Sequence, residues 1–236
     1  MSHFIINPYA YAATGLADID NVYSMEFDGV ADSVITPVPV PGPFNFGWTG
    51  GAGNAPSADN PWSVSAWVKG SATGAFLDFP MYNINANYAR SFAIGWSTTV
   101  TASGSIFFGS KYTIKGIEDG TTAYDTTDWN HIVITYDGGG YSTIGEYNLY
   151  IGGNPIAITT TGTNPGDFQS NQLNIGMVGN YGGTLRWTGG VDEVGLFDYV
   201  LSPSDVTSIF NGTSTGKTAD LSEMTTPPVA WYRMGD

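Results

Sequence analysis

Short runs of alternating apolar and polar residues recur along the chain, separated by clusters of Gly, Asn, Asp and Pro. In the run WSVSAWVK at residues 62–69, for example, Val64, Ala66 and Val68 share one face of an extended strand. A period of two is typical of a strand with one buried and one solvated face. Together the runs predict an all-β antiparallel sandwich. The predicted strands cover residues 22–27, 33–36, 62–69, 75–79, 90–96, 105–108, 129–136, 147–151, 155–160, 172–178, 191–199 and 229–234.

One segment, residues 201–212, has instead the spacing of a short helix. Ser202 can cap its N-terminus, Pro203 suits the first helical position, and Asp205 can bond back within the first turn. The apolar residues then fall three and four positions apart on a single face. That face, which we expect to pack on a sheet, holds Val206, Ile209 and Phe210.

We interpret the chain as one domain with two flanking segments. Residues 22–212 hold most of the predicted strands and the helix, and form the sandwich. Residues 1–21 form an N-terminal arm, and residues 213–236 a linker and a C-terminal strand that packs on the same domain.

The composition excludes several classes of protein. Of the 236 residues, 42% are hydrophobic and 14% aromatic, which argues against disorder. A net charge of −14 should repel phosphate backbones and anionic lipids, so we expect no nucleic-acid partner and no membrane insertion. The absence of Cys excludes disulfides, thiol catalysis and cysteine-based zinc sites.

Five further segments stand out by their sequence: YSMEFDGVAD at 23–32, WSVSAWVK at 62–69, WNHIVITYDG at 129–138, YNLYIGG at 147–153 and GGVDEVGLF at 189–197. In this order, and followed by the helix segment, they resemble the core strands of laminin-G-like domains of the concanavalin A-like lectin/glucanase superfamily. The resemblance implies a jelly-roll sandwich. It does not select a function, because the superfamily includes lectins, glycosidases and adhesion domains.

The C-terminal segment PVAWYRMGD at 228–236 resembles one that is common in the laminin-G-like proteins of marine phage particles. This resemblance implies a place on the virion surface. The partners would then be other virion chains and further copies of this chain.

Catalytic patterns are incomplete. Glycosidases of the superfamily carry the pattern Glu-x-Asp-x-x-Glu on one strand, and Glu26 and Asp28 match its first two positions. The third carboxylate is missing, and Gly29 favours a turn directly after Asp28. A Ser-His-Asp site would need His3 or His131, and no Gly-x-Ser-x-Gly motif accompanies either. We therefore expect no enzymatic activity and a structural role for His131.

Asp192 is a candidate calcium ligand. Alternation places it on the apolar face of Val194 and Leu196, with Glu193 on the other face. A buried carboxylate needs partners. Backbone N–H groups, Arg186 or a structural calcium ion could supply them. We expect no other cofactor.

Two sets of residues are candidates for intermolecular contact. Aromatic side chains in loop-like stretches can stack on a glycan or anchor a partner protein. They are Trp48, Tyr82, Tyr88, Tyr181 and Trp187. In the arm, an apolar set can add a strand to a neighbouring chain or fold back on its own sandwich. It comprises Phe4, Ile5, Ile6, Tyr9 and Tyr11.

The leading hypothesis is a non-enzymatic structural protein of a phage particle, either a capsid decoration or a fibre component, that contacts glycans. A free carbohydrate-binding module or lectin is the alternative. A glycoside hydrolase is the weaker alternative.

Overall fold

The structure is a computed structural model. It describes residues 16, 18–20, 24–30, 32–36, 60–70, 73–79, 92–97, 104–110, 113–118, 124–138, 144–159, 173–177, 186–212 and 217–234.

Two seven-stranded antiparallel sheets form the body of the protein. Sheet I has the order β11-β10-β9-β4-β14-β16, with β2 also paired to β14, and sheet II has the order β12-β8-β7-β6-β5-β13-β3. The strands of sheet I are β2 (Met25–Asp28), β4 (Trp62–Lys69), β9 (Asn130–Tyr136), β10 (Tyr147–Ile151), β11 (Asn154–Ile156), β14 (Thr188–Phe197) and β16 (Ala230–Tyr232). Those of sheet II are β3 (Val34–Ile35), β5 (Gly74–Phe79), β6 (Phe92–Ser97), β7 (Ser105–Ser110), β8 (Thr113–Glu118), β12 (Ile158–Thr159) and β13 (Asn174–Ile175). A separate pair joins β1 (Asp18–Asp20) to β15 (Lys217–Ala219).

The main core lies between the two sheets. Alternate residues of β4, such as Val64 and Val68, are buried there, as the period of two predicts. Aromatic rings join the sheets, since Trp62 of sheet I meets Phe92 of sheet II edge to face at 5.3 Å. The antiparallel sandwich predicted from the sequence is therefore confirmed.

A second apolar cluster covers part of the outer face of sheet I. Helix α1 (Pro203–Asn211) buries Val206 and Ile209 against this face. A capping box starts the helix, because the amide of Asp205 donates to the Ser202 hydroxyl at 3.1 Å and the Ser202 amide donates to the Asp205 carboxylate at 2.9 Å. The predicted helix is confirmed. Among the described residues, no helix is long and apolar enough to cross a membrane.

Several strands differ from the sequence-based assignment. Strand β8 was not predicted, because Lys115, Gly116 and Glu118 interrupt its apolar pattern. The single strand predicted over residues 155–160 is two strands, of which β11 pairs with β10 in sheet I and β12 with β8 in sheet II. The chain therefore crosses between the sheets at Ala157, a change that alternation alone does not reveal.

Strand β1 falls within the segment interpreted as an N-terminal arm. Its partner β15 follows helix α1, so residues 18–20 and 217–219 are held together. The arm's contact residues, Phe4, Ile5, Ile6, Tyr9 and Tyr11, lie outside the described residues.

Candidate functional site

Beyond the C-terminal end of helix α1, the outer face of sheet I carries two partly exposed tryptophans and two charged residues. We call this patch the tryptophan face and define it by Glu26, Trp67, Lys69, Trp129 and Gly190. Trp67 and Trp129 are both partly exposed, and Glu26 is exposed. The patch therefore presents aromatic surface to solvent on a rigid sheet.

Strand register brings these residues together. Gly190 of β14 pairs with Lys69 on one side and with Glu26 on the other, so the three form one row. Trp67 precedes Lys69 by two residues on β4 and projects to the same side. Trp129 immediately precedes β9, and continuing the β4–β9 register places it opposite Lys69.

Gly190 allows the indole of Trp129 to lie close against the sheet. A β-carbon added at Gly190 would lie 2.4 Å from Cη2 of Trp129 and 3.0 Å from Oε1 of Glu26. The distance to Trp129 is too short for a side chain at this position, and the distance to Glu26 is tight. The missing side chain therefore makes the space that Trp129 and Glu26 occupy.

The turn before Trp129 is fixed by the side chain of Asn130. Its amide nitrogen donates to the carbonyls of Asp125 and Asp128 at 2.6 and 2.8 Å, and its amide oxygen accepts from the Asp125 N–H at 2.8 Å. The carboxylate of Asp128 accepts from the Trp129 N–H at 2.8 Å. These bonds position Trp129 before any ligand arrives, which lowers the entropy cost of binding.

Carboxylates surround the patch. Asp125 and Asp128 are exposed on the turn that leads into Trp129. Hydrogen bonds from the amide and hydroxyl of Thr127 lower the pKa of Asp125, and the positive charge of Lys69 adds to this effect. Lys69 therefore lies close enough to Asp125 to offset part of its charge.

At its inner end, the tryptophan face continues into a stack of rings. Trp67 stacks on His131 with ring centroids 5.2 Å apart and on Phe210 of the helix at 6.0 Å. Phe210 in turn lies over Gly153, where an added β-carbon would lie 3.0 Å from the ring. These contacts hold Trp67 between the helix and the sheet.

His131 is structural, as expected. It is 1% exposed, and its Nε2 lies 2.8 Å from the Ser65 hydroxyl. Burial lowers the pKa of His131 to about 3, so the ring is neutral at pH 7. Among the described residues, its Nδ1 has no hydrogen-bond partner and hence no carboxylate to orient it. This arrangement lacks the third member that a Ser-His-acid site needs.

A β-bulge interrupts strand β14 at the predicted acidic pair. Asp192 lies opposite Trp67 and Gly195 opposite Ser65, so two residues of β14 face the single residue Ala66. A bulge of this kind shifts the alternation of side chains along the strand. The face of Asp192 therefore cannot be read by counting in steps of two from the residues after the bulge.

Asp192 is 3% exposed, which confirms the predicted burial. Its register partner Trp67 places it on the outer side of sheet I, and the assignment to the face of Val194 is wrong. Its Oδ1 accepts from the N–H of Glu193 at 2.8 Å and from that of Met234 at 3.1 Å. Of the partners considered from the sequence, namely backbone N–H groups, Arg186 and a calcium ion, the structure shows backbone N–H groups.

Glu193 occupies the bulge with φ = 49°, in the left-handed region that a non-glycine residue rarely adopts. Its carboxylate is 3% exposed and accepts from the hydroxyl of Thr218, the indole N–H of Trp231 and the guanidinium of Arg233. Burial, with a smaller contribution from Asp192, raises the pKa of Glu193 to about 7. The network ties β15 and β16 to the sheet and is enclosed.

The calcium ion considered for Asp192 stays a prediction. Within the part of the chain that the structure describes, no three His, Asp or Glu side chains converge on a point that could hold a metal ion.

Trp187, predicted as a surface contact, is fully buried, and that prediction is wrong. The N–H of Trp187 donates to the carbonyl of Gly176 at 3.0 Å, which pins this segment to sheet II. The indole turns into the core against Phe76 at 5.4 Å and donates to the carbonyl of Gly190 at 3.2 Å. The other predicted contact aromatics, Trp48, Tyr82, Tyr88 and Tyr181, lie outside the described residues.

Glu26 and Asp28 are both exposed on β2, with Phe27 buried between them. The carboxylate of Asp28 accepts from the Val30 N–H at 2.7 Å, and Gly29 has φ = 76°. Asp28 therefore stabilises the turn that the sequence predicts.

Trp67 and Trp129 are not among the contact residues predicted from the sequence, because both belong to motifs interpreted as core strands. A signal was nevertheless available. Trp67 alternates with Val64, Ala66 and Val68 and so falls on the polar face of its strand, with Ser65 and Lys69.

Comparison with known proteins now assigns the family. The model of the concanavalin A-like lectin/glucanases superfamily matches residues 49–207, more than half of the chain. The chain belongs to this superfamily. A comparison with curated protein sequences finds no match.

Solved structures share the fold at low sequence identity. A Trypanosoma rangeli sialidase in complex with 2,3-difluorosialic acid is 13% identical with a TM-score of 0.52, over 88% of this chain and 35% of that chain. A putative carbohydrate-binding protein from Bacteroides ovatus is 11% identical with a TM-score of 0.49, over 94% of this chain and 53% of that one. The CBM40 of a Ruminococcus gnavus sialidase, bound to α2,3-sialyllactose, is 13% identical with a TM-score of 0.47, over 83% and 99%. This chain thus spans about a third of the first protein and about half of the second.

Proposed function

We propose that the protein is a non-catalytic glycan-binding module whose ligand stacks on the tryptophan face. The observation that carries this proposal is the pair of partly exposed indoles, Trp67 and Trp129, held on paired strands with Lys69 and Glu26 beside them. The family supports it, because a lectin-like sandwich is a common scaffold for sugar recognition.

The chemistry of the face matches that of a sugar ring. One side of a pyranose is a sheet of C–H groups that packs on an aromatic face, while its hydroxyl groups point sideways. Lys69 can donate hydrogen bonds to such hydroxyls, and Glu26 can accept them.

We propose no catalytic role, because the carboxyl groups considered do not suit glycoside hydrolysis. A glycosidase needs one carboxyl that stays protonated at working pH, which proteins obtain by burial. Glu26 and Asp28 are exposed to water, and Asp28 is engaged in its turn. Glu193 has a raised pKa, but its carboxyl is surrounded by Thr218 and Trp231. We expect no cleavage of laminarin, agar or carrageenan by the purified protein.

Binding is tested first on a glycan array and then by calorimetry with the best ligand. Trp129→Ala should weaken binding about thirtyfold, since loss of a central aromatic contact costs about 2 kcal/mol. Lys69→Met should weaken it by a smaller factor while leaving the fold intact. Ile35→Ala is the matched control, because Ile35 is 55% exposed on sheet II, away from the face.

The predicted loop aromatics provide the competing outcome. If Tyr181→Ala, Trp48→Ala, Tyr82→Ala or Tyr88→Ala abolishes binding while Trp129→Ala does not, the glycan site lies on the loops and the tryptophan face is the wrong site.

We further propose that the module is a structural component of a phage particle, as a capsid decoration or part of a fibre, and that it acts at the virion surface. The resemblance of residues 228–236 to phage laminin-G-like proteins supports this proposal. The partners would be other virion chains and further copies of this chain, with the arm residues as one contact. Mass spectrometry of purified particles should find the chain in fixed copy number. Its absence from particles, together with monomeric behaviour, would favour the free lectin.

A further inference from the structure

We infer that the tryptophan face selects neutral glycans and rejects anionic ones, including sialylated and sulfated sugars. This inference rests on the proposed glycan-binding function and adds the class of ligand. It follows from the distribution of charges around Trp129.

Carboxylates flank Trp129 on two sides. On the β2 side, Glu26 lies in the row of Gly190, and Asp28 projects to the same face one row further along. On the opposite side, Asp125 and Asp128 are exposed on the turn that leads into Trp129. A ligand stacked on the indole would therefore lie among four carboxylates.

Lys69 is the cation of the tryptophan face. Its positive charge contributes to the lowered pKa of Asp125, so the negative charge of Asp125 in turn weakens the attraction that Lys69 exerts on an anionic ligand. Tight recognition of anionic sugars normally rests on guanidinium or ammonium groups free to form charge-assisted hydrogen bonds.

The expected discrimination follows from Coulomb's law. At about 7 Å in water, one carboxylate weakens the binding of a second negative charge about threefold before salt screening. Among the described residues of this patch, four carboxylates opposed by one ammonium group leave a net of three negative charges. Three charges at about this distance correspond to at least tenfold discrimination at low salt. The net charge of −14 adds a long-range repulsion of the same sign.

Matched pairs of ligands test this inference by calorimetry at low salt. Lactose is compared with 3′-sialyllactose, and neutral agarose oligosaccharides with sulfated carrageenan oligosaccharides. We expect the neutral member of a pair to bind at least tenfold more tightly, and the gap to narrow as salt is raised. Equal or tighter binding of the anionic member would overturn the inference.

Charge-removing variants give a second readout. The double variant Asp125→Asn, Asp128→Asn keeps side-chain oxygens that can accept the hydrogen bonds of the turn. It should raise the affinity for the anionic sugars about tenfold relative to the affinity for the neutral sugars, so that any change in the position of Trp129 cancels in the ratio. Asp198→Asn is the control, because Asp198 is also exposed but follows the far end of β14. Unchanged affinity for anionic sugars in the double variant would contradict the charge argument.

The outcomes separate this inference from the proposed function. Binding that depends on Trp129 but prefers the anionic sugars overturns the inference alone. Binding that does not depend on Trp129, or no binding to any member of either pair, overturns the proposed function and the inference with it.

Discussion

Replacing Glu193 with glutamine should make the protein progressively more stable than the wild type as the pH rises from about 4.5 to about 7. In the folded state, burial raises the pKa of Glu193 from 4.5 to about 7. Between these values the folded protein holds a proton that the unfolded chain releases. The contribution of Glu193 to the free energy of unfolding therefore falls as the pH rises through this window, and this contribution becomes constant above about pH 7.

The size of the effect follows from the two pKa values. One pKa unit corresponds to 1.36 kcal/mol, so a rise from 4.5 to about 7 corresponds to about 3 kcal/mol. Glutamine carries no charge, and its amide oxygen can accept from the Trp231 indole while its amide nitrogen donates to the Thr218 hydroxyl. Glu193→Gln should therefore match the wild type below pH 4.5 and exceed it by up to about 3 kcal/mol above pH 7.

His131 acts in the opposite direction. Burial lowers the pKa of His131 to about 3. Below pH 6.5 the imidazole therefore binds a proton in the unfolded chain but stays neutral in the folded protein. Stability then falls as the pH falls from about 6.5 towards 3. Because His131 is present in both proteins, its contribution cancels in the difference between Glu193→Gln and the wild type.

Urea denaturation followed by tryptophan fluorescence from pH 4 to 8.5 provides the measurement. The difference in unfolding free energy between Glu193→Gln and wild type should rise by about 3 kcal/mol across the window. Asp198→Asn, which changes an exposed carboxylate, is the control and should run parallel to the wild type. Parallel curves for Glu193→Gln as well would refute the assignment of the raised pKa to this network.

Three further changes test other parts of the structure. Asp192→Ala should lower the free energy of unfolding by about 1–3 kcal/mol, since two buried N–H groups lose their acceptor. In thermal melts of the wild type, a melting temperature that falls on adding a calcium chelator would indicate a bound calcium ion. Ser202→Ala should cost about 1 kcal/mol by removing the helix cap, as measured by urea denaturation, and Thr207→Ala on the exposed side of the helix serves as its control. Gly190→Ala should displace Trp129 and weaken glycan binding at least tenfold, while the circular dichroism spectrum stays that of the folded sandwich. Undiminished binding would show that Trp129 does not contact the ligand.

Much of the fold could be predicted because its signals are local. Period-two runs mark β4, β9 and β10, and a capping box with spaced apolar residues marks α1. These local signals do not determine which strands pair with each other. The crossing of the chain between β11 and β12 depends on which strand each half pairs with, and pairing partners are distant in sequence.

The candidate site was less predictable, for two physical reasons. A bulge at Glu193 shifts the alternation of side chains along β14, and the residue pattern of this strand gives no sign of the bulge. Trp187 stands among glycines as a surface residue would, yet backbone pairing with sheet II turns it into the core. Trp67 was predictable in principle, because its alternation already placed it on the polar face of β4.

The measurement that tests the central claim most directly is the response of individual indole groups to a bound glycan. The chain has seven tryptophans, and ¹⁵N labelling gives each indole N–H its own NMR signal, assigned by single Trp→Phe variants. On titration with a neutral oligosaccharide, the signals of Trp129 and Trp67 should shift with one saturable curve, while those of the buried Trp62 and Trp96 stay in place. Saturable binding that shifts the signal of Trp48 and leaves Trp129 and Trp67 unmoved would contradict the account.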